Sequence, residues 1–177
     1  MPKKPKVKAK LTQTELPPGF FTAFKKEALL LANKVNEQFA KDTLKEIKET
    51  VRKQKFKWKK LSPEYLAKKK REGLDTRIYL ATRDYINKGI EYRKKDGFIF
   101  VGPKEGTHKP SGLTYKQLAR ILEWGTWDGR IPARPLWRPV ASKMLAKKKI
   151  YRKMYNEGIE KAAMRRARNK KKKIKRT

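Results

Sequence analysis

Residues 122–140 read LEWGTWDGRIPARPLWRPV, and they concentrate residue types that are scarce in the rest of a lysine-rich chain. They hold three of the four tryptophans and three of the ten prolines. Proline fixes φ, removes a backbone donor and favours an extended conformation in the residue before it. Because Pro132, Pro135 and Pro139 follow one another closely, we expect a stiff loop, begun by Gly125, that leads into a helix. Pro139 fits the first helical turn, where N–H groups have no intrahelical partner.

The same stretch supplies the candidate interface residues. Trp and Arg are strongly enriched at protein–protein hot spots. Each tryptophan either pins the loop onto the domain's own core or contacts a neighbouring subunit. Residues 128–130 read DGR, which predicts a turn with an exposed tip. The predicted subunit or partner interface consists of Trp124, Trp127, Arg130, Arg134, Leu136, Trp137 and Arg138, and the predicted structural loop contains Gly125, Pro132, Pro135 and Pro139.

Two long helices are predicted on either side of this chain's central region. The first covers about residues 20–53, because apolar residues from Phe24 to Val51 recur at steps of three and four. Its other face is Lys and Glu, so it needs a partner surface for its apolar stripe. The second covers about residues 136–166 and follows directly from the proline-rich loop.

The region between the long helices predicts two short helices. Ser62 is a good N-cap, and Pro63 and Glu64 suit the first helical turn. That helix is expected to end at Gly73, a residue type that favours helix C-termini. Thr114 is a plausible N-cap for a second short helix over about residues 114–123.

A β-hairpin is predicted between these short helices. Residues 88–94 and 98–102 have strand character and are separated by a turn signal at 95–97. Two strands alone are marginal, so we expect a third strand from residues 76–82, from residues 127–133 or from a neighbouring subunit. Phe98 and Phe100 on the second strand either pack in the core or stack on bases, and core packing is favoured.

The predicted fold class is α+β, a small antiparallel sheet packed with two long helices and short helices. Three regions are expected: a basic N-terminal arm (1–18), a single α+β domain (19–166) and a basic C-terminal tail (167–177). The arm and the tail are expected to lack regular structure in the absence of a partner.

The formal charge of +33 predicts an acidic partner. Residues 1–10 carry five lysines and residues 165–177 carry nine Lys and Arg, without acids, which leaves +19 on residues 11–164. The partner could be nucleic acid, an acidic protein or anionic lipid. Candidate contacts to phosphate or to an acidic partner are Lys68, Lys69, Lys70, Arg71, Lys170, Lys171, Lys172 and Lys173, although such charge runs are most often solvated faces.

The residue inventory offers little for catalysis. The chain has no Cys and one His, His108, so thiolate chemistry and the common transition-metal sites lack ligands. The loop GPKEGTHKPSG departs from the phosphate-loop pattern, because Thr107 follows Gly106 where Lys is required. We therefore expect no enzyme activity, no catalytic residue, no cofactor and no metal. We also expect a soluble protein without a membrane span or signal peptide, from a reducing compartment.

Three segments together resemble proteins of tailed-phage virion morphogenesis. Residues 58–73, WKKLSPEYLAKKKREG, resemble the W-x-x-L-S-P-x-T-L-x-x-K-x-x-x-G segment of that family. Residues 80–90 have the spacing of its L-x-x-T-G-x-L-x-x-S-I segment, with Arg83 in place of Gly and Tyr85 in place of Leu. Residues 118–139 resemble A-x-x-x-E-F-G-T followed by P-x-R-P-F-L-R-P, which tail-completion and head–tail joining proteins share.

The resemblance implies a structural protein of the phage neck. Such a protein forms a homo-oligomeric ring, often of six subunits, that caps the tail tube and joins it to the head. The implied partners are connector or stopper proteins and tail-tube or sheath proteins, with non-specific contact to genomic DNA as a further possibility. The implied location is the virion, after assembly in the host cytoplasm. The alternative reading is a nucleic-acid-binding protein without sequence specificity, which the charge alone supports.

Overall fold

The protein is described by a computed structural model that covers residues 20–95 and 98–174. These residues form six helices and one two-stranded antiparallel sheet, so the fold is a small α+β domain as predicted. In chain order the elements are α1 (Phe20–Arg52), α2 (Pro63–Arg71), α3 (Asp84–Lys88), β1 (Ile90–Lys95), β2 (Phe98–Pro103), α4 (Tyr115–Trp124), α5 (Trp137–Ala146) and α6 (Lys148–Ile174).

The short helices begin where their capping residues predict. The Ser62 side chain accepts a hydrogen bond from the Tyr65 N–H at the start of α2. Thr114 and Gln117 form a reciprocal capping box at the start of α4. After α2, Gly73 has φ +64°, a conformation that glycine adopts without strain.

The hairpin pairs β1 with β2 in the order expected. Tyr92 lies opposite Val101 and Arg93 opposite Phe100. The predicted turn at Asp96 lies outside the described residues. Neither residues 76–82 nor residues 127–133 form a strand, so the two predictions of a third strand from those segments are wrong.

The hydrophobic core lies where α1, α3, α4 and α5 meet the hairpin. The apolar stripe of α1 ends in this core, and α5 also contributes apolar side chains to it. Its most deeply buried apolar side chains are Ile47, Val51, Ile86, Leu136, Val140 and Met144.

A two-helix stalk, formed by α1 and α6, extends the domain. The helices are antiparallel, since the Tyr151 hydroxyl donates to Asp42 and the Arg166 guanidinium donates to Glu27 at 2.7 Å. Leu31 approaches Gly158 so closely that a Cβ there would lie 2.5 Å from a Leu31 methyl carbon. The apolar stripe of α1 therefore has a partner surface.

Two predictions about the C-terminal helix are corrected. The chain from Trp137 onward forms two helices that meet at Lys147, whose N–H donates to Met144 three residues earlier. Residues 167–174, predicted as an unstructured tail, continue α6, because Lys and Arg are good helix formers and the helix propagates through them. The predicted N-terminal arm 1–18 and residues 175–177 lie outside the described residues.

Among the described helices, none combines the length and the apolar character needed to cross a lipid bilayer.

Candidate interaction site

A buried carboxylate joins the end of α4 to the start of α5. Glu123 is 4% exposed, and its Oε2 accepts hydrogen bonds from the N–H groups of Leu136 (2.7 Å) and Trp137 (2.9 Å). Its Oε1 accepts from the N–H and the Nε of Arg138 at 3.2 and 3.1 Å. The carboxylate thus satisfies the free donors at the start of α5, where the helix dipole also favours negative charge.

The environment of Glu123 keeps it ionised. Burial opposes its negative charge, but the three backbone donors and the Arg138 guanidinium outweigh burial and hold the pKa of Glu123 below its usual value. The ionised Glu123 therefore links the end of α4 to the start of α5 at neutral pH.

Arg134 is the second buried charge of the proline-rich stretch. It is 6% exposed, and its Nε donates to the Lys59 carbonyl at 3.1 Å. A terminal nitrogen of the same guanidinium donates to the Lys60 carbonyl at 3.4 Å, and the Arg134 N–H donates to the Leu122 carbonyl at 2.8 Å. Arg134 therefore ties the segment before α2 to the loop before α5.

Trp58 and Tyr79 complete this connection. The indole N–H of Trp58 donates to the Pro135 carbonyl at 2.8 Å, and the Tyr79 hydroxyl donates to the Arg134 carbonyl. Their rings also contact each other, with centroids 5.1 Å apart. Because these bonds join residues 58–60 and Tyr79 to the proline-rich loop, we call this set of residues, Trp58, Tyr79, Glu123, Arg134 and Pro135, the motif junction.

The outer half of the stretch forms a compact surface loop, which we call the Trp loop (residues 124–131). The N–H of Thr126 donates to the Ile131 carbonyl, and the Ile131 N–H donates to the Thr126 hydroxyl oxygen. Asp128 accepts from the Arg130 N–H and forms an ion pair with its guanidinium at 3.3 Å. The loop is closed by its own hydrogen bonds, and it holds Trp127 fully in solvent, 99% exposed.

Trp124 is held in place by an arginine from α5. The guanidinium of Arg138 lies 3.9 Å from the Trp124 ring, within the range of a cation–π interaction. Glu123 binds the same arginine, so the buried carboxylate also positions the exposed ring. Trp124 remains 62% exposed and is the first residue of the Trp loop.

The structure divides the predicted interface residues into two groups. Trp124, Trp127, Arg130 and Arg138 have exposed side chains. Leu136 is fully buried and Arg134 is nearly so, whereas Trp137 is partly buried against the core, so the first two side chains lie inside the domain. The second half of the loop turns inward, where it meets Glu123 and the distant Trp58.

The predicted basic contacts also divide. Lys68, Lys70 and Arg71 are exposed on α2, whereas Lys69 is 2% exposed. The Lys69 ammonium donates to the carbonyls of Asp75 and Arg77, each at 2.9 Å. Lys69 therefore has a structural bond where a surface contact was predicted. Residues 170–173 are part of α6, and their side chains are not among those described.

The hairpin presents a pair of phenylalanines to solvent. Phe98 and Phe100 are 68% and 51% exposed, and their ring centroids are 6.4 Å apart. The favoured prediction of core packing is therefore wrong for both. Lys95 and Arg93 lie directly opposite them on β1. We call these four residues the hairpin platform.

The structural role of Glu123 and Trp58 was not predicted from the sequence. Both residues belong to segments that resemble the phage virion proteins, but the resemblance implies no structural role for them. The available signal for a cap was a Glu at the end of one helix, thirteen residues before Leu136, the N-cap residue of the next. Within the described ranges, no three His, Asp or Glu side chains come close enough to hold a metal ion.

When the chain was compared with protein-family models, with curated proteins and with solved structures, none of them matched.

Proposed function

We propose that the protein is a structural component of a tailed-phage neck. In this role it forms a homo-oligomeric ring, expected to have six subunits, that caps the tail tube and joins it to the head connector. The proposal involves binding and assembly only, without catalysis or a cofactor.

One observation carries the proposal: two of the segments that resemble the virion proteins, residues 58–73 and 118–139, are hydrogen-bonded to each other. Trp58 donates to Pro135, and Arg134 donates to Lys59 and Lys60, although about 75 residues separate them in the chain. Segments that share bonds of this kind are constrained as a unit.

The Trp loop supplies the assembly surface in this proposal. Fully exposed aromatic side chains are costly in water and are enriched at interface centres. Trp127 stands on a loop closed by hydrogen bonds, so little ordering entropy is lost when a partner covers it. Trp124 and Arg130 are next to it and provide the aromatic and cationic surroundings of such a contact.

Complementation of a phage that lacks this gene tests the proposal. Without the protein we expect unjoined heads and tails, and with the wild-type protein, complete particles that carry it at the head–tail junction. The Trp127→Ala variant should restore few particles. Met164→Ala is the matched control, since Met164 is also strongly exposed but lies on α6. Complete particles in the absence of the protein would contradict the proposal.

The hairpin platform favours a second candidate function, binding of single-stranded nucleic acid. Proteins that bind single strands without sequence preference combine aromatic side chains with a basic surface. Phe98 and Phe100 offer two rings, Lys95 and Arg93 flank them, and the whole chain carries +33. Arg93 also forms an ion pair with Glu105, and this pairing weakens the attraction of Arg93 for phosphate.

A salt titration separates this second function from the first. Phosphate binding should weaken steeply as salt rises, with a linear relation between the logarithms of affinity and salt concentration. The Phe98→Ser, Phe100→Ser variant should lose affinity for labelled oligothymidylate, while Trp127→Ala should keep it. Equal binding by all three proteins would leave only non-specific charge and would exclude the hairpin platform as a base-stacking site.

A further inference from the structure

A groove of about 690 Å³ opens beside the Trp loop. Its walls come from α2, from α4 and from loop segments before, between and after them, and they are largely apolar. Tyr65 and Ile131, which both line the groove, are 46% and 38% exposed, so apolar surface here faces solvent. Leu113 and Ile121 extend this surface inward. Concave apolar surface of this size is typical of a binding site.

The charged side chains that line the groove have one sign. Among the described residues that line it there is no Asp or Glu. Its lining nevertheless contains several basic side chains, namely Lys59, Lys60, Lys69, His108, Arg130 and Arg134. An apolar groove with an entirely basic border is complementary to a ligand with apolar side chains and carboxylates.

Two of these cations are buried. Lys69 and Arg134 bind backbone carbonyls, with no carboxylate hydrogen-bonded to either in the described structure. Burial lowers the pKa of Lys69; the nearby Asp75 carboxylate opposes this, and the charge of Arg134 adds to it. Asp75 is itself bound by Arg77 and Arg83, so it compensates the buried pair only in part. A carboxylate entering the groove would stabilise both cations.

We propose that this cationic groove binds an acidic, apolar peptide segment of another protein, with its apolar side chains between Tyr65 and Ile131 and its carboxylates against the basic border. The chain's own ends are poor occupants: residues 1–10 and 165–177 carry five and nine basic side chains and no acid. A second copy, with a charge of +33, is also disfavoured. The inference does not depend on the proposed ring.

Fluorescence anisotropy with paired peptides tests the groove. The probe is a fluorescein-labelled peptide in which Leu and Phe alternate with Glu, and its charge-matched partner has Ser in place of Leu and Phe. We expect the apolar probe to bind the full chain about tenfold more tightly, as expected when hot-spot side chains are buried. Equal affinity for the two peptides would overturn the proposal, because it would reduce the interaction to charge.

Variants of the protein locate the binding. The Tyr65→Ser, Ile131→Ser variant should lose about tenfold in affinity for the apolar probe. The Lys59→Gln, Lys60→Gln variant should lose a similar amount, whereas Lys148→Gln, Lys149→Gln should keep its affinity. That control removes the same charge from exposed lysines of α6 outside the groove. Melting curves by circular dichroism establish that each variant is folded.

Two outcomes would assign the groove to another occupant and overturn the proposal. One is loss, in the single Tyr65→Ser variant and without added peptide, of the oligomer that wild type forms; this variant leaves the Trp loop unchanged, so the loss would identify a second copy. The other is displacement of the probe by oligothymidylate, with affinity for the oligonucleotide lost in the same variant, which would identify nucleic acid. Failure of the phage complementation test would leave the peptide measurements unaffected, so the two proposals fail separately.

Discussion

The inner and outer halves of the tryptophan-rich stretch use similar residues in opposite ways. In the inner half, residues 133–140, Arg134 and Leu136 are buried; Arg134 is bonded to the distant Lys59, and Leu136 is bonded to Glu123 at the end of α4. In the outer half, the Trp loop, Trp127 is fully exposed and the hydrogen bonds are local. The difference teaches that Trp, Arg and Pro do not by themselves mark a binding surface. Their role follows from whether a long-range partner, here Glu123 or Trp58, reaches them.

The largest expected effect is the loss of the inner half's anchor by Glu123→Ala. Removal of this carboxylate leaves three backbone donors and Arg138 without their acceptor, which should lower the free energy of unfolding by about 3 kcal/mol or more. Urea denaturation measures this loss. Glu123→Gln, which keeps one acceptor oxygen, should be affected less. A stability unchanged in Glu123→Ala would show that the cap does not hold the inner half.

Gly125→Ala should have the next largest effect, since Gly125 packs against residues 131–133, where the two halves meet. Gly125 has φ +80°, and a Cβ there would lie 2.7 Å from the Ile131 carbonyl oxygen and 2.8 Å from the Ala133 nitrogen. Strain and backbone contact together should destabilise the fold by about 2–3 kcal/mol. Gly129→Ala is the matched control, because φ is +71° there but no atom lies within 4 Å. It should cost only about 1 kcal/mol. Equal losses in denaturation would contradict the account.

Trp58→Phe sharpens the comparison by removing a single long-range bond. A smaller aromatic ring remains, and the Pro135 carbonyl loses its donor; the lost hydrogen bond alone should cost about 1 kcal/mol, and the lost packing adds to this. Tyr79→Phe removes the neighbouring bond to Arg134 in the same way. Because the two bonds reach adjacent carbonyls, the double variant should lose less or more than the sum of the two changes. Additive losses in the denaturation cycle would show that the motif junction is not one unit.

The pH dependence of stability should also separate the halves. Because the pKa of Glu123 is lower in the folded state than its usual 4.5, its stabilisation is present above about pH 4.5 and is lost as the pH falls below this. The Glu123→Gln variant should therefore show a flatter loss of stability on acidification. In the Trp loop, the Thr126 hydroxyl lowers the pKa of Asp128, but Asp128 is solvent-exposed, so Asp128→Asn should follow the wild-type curve. Melting temperatures over this pH range give the comparison.

The local parts of the fold were predictable from the sequence because their signals are local. Ser62 and Thr114 each bond to a residue three positions away, so their caps could be inferred without knowing the fold. The break at Lys147 could not, since no Gly or Pro marks it and the apolar pattern continues across it. The exposure of the Phe98 and Phe100 side chains could not be inferred either, because it depends on which face of the hairpin packs against α1.

The site was predictable as a place but not as an arrangement. The composition of residues 122–140 identified the loop. As predicted, the loop begins at Gly125, contains Pro132 and Pro135, and leads into a helix that has Pro139 in its first turn. Which of its residues are buried depends on Trp58 and Tyr79, more than 50 residues away in the chain. Long-range hydrogen bonds of this kind leave no periodic pattern, so the inner and outer halves could not be distinguished from sequence.

The central claim is that the outer half serves association while the inner half holds the fold. Sedimentation velocity of wild type, Trp127→Ala and Met164→Ala, with melting temperatures for each, tests it most directly. The account predicts that wild type and Met164→Ala sediment as one closed oligomer, several times the 20.8 kDa chain mass. It predicts smaller species for Trp127→Ala with an unchanged melting temperature, because a fully exposed side chain contributes little to folding. A wild-type monomer at all concentrations, or a Trp127→Ala variant that still forms the oligomer, would contradict the claim.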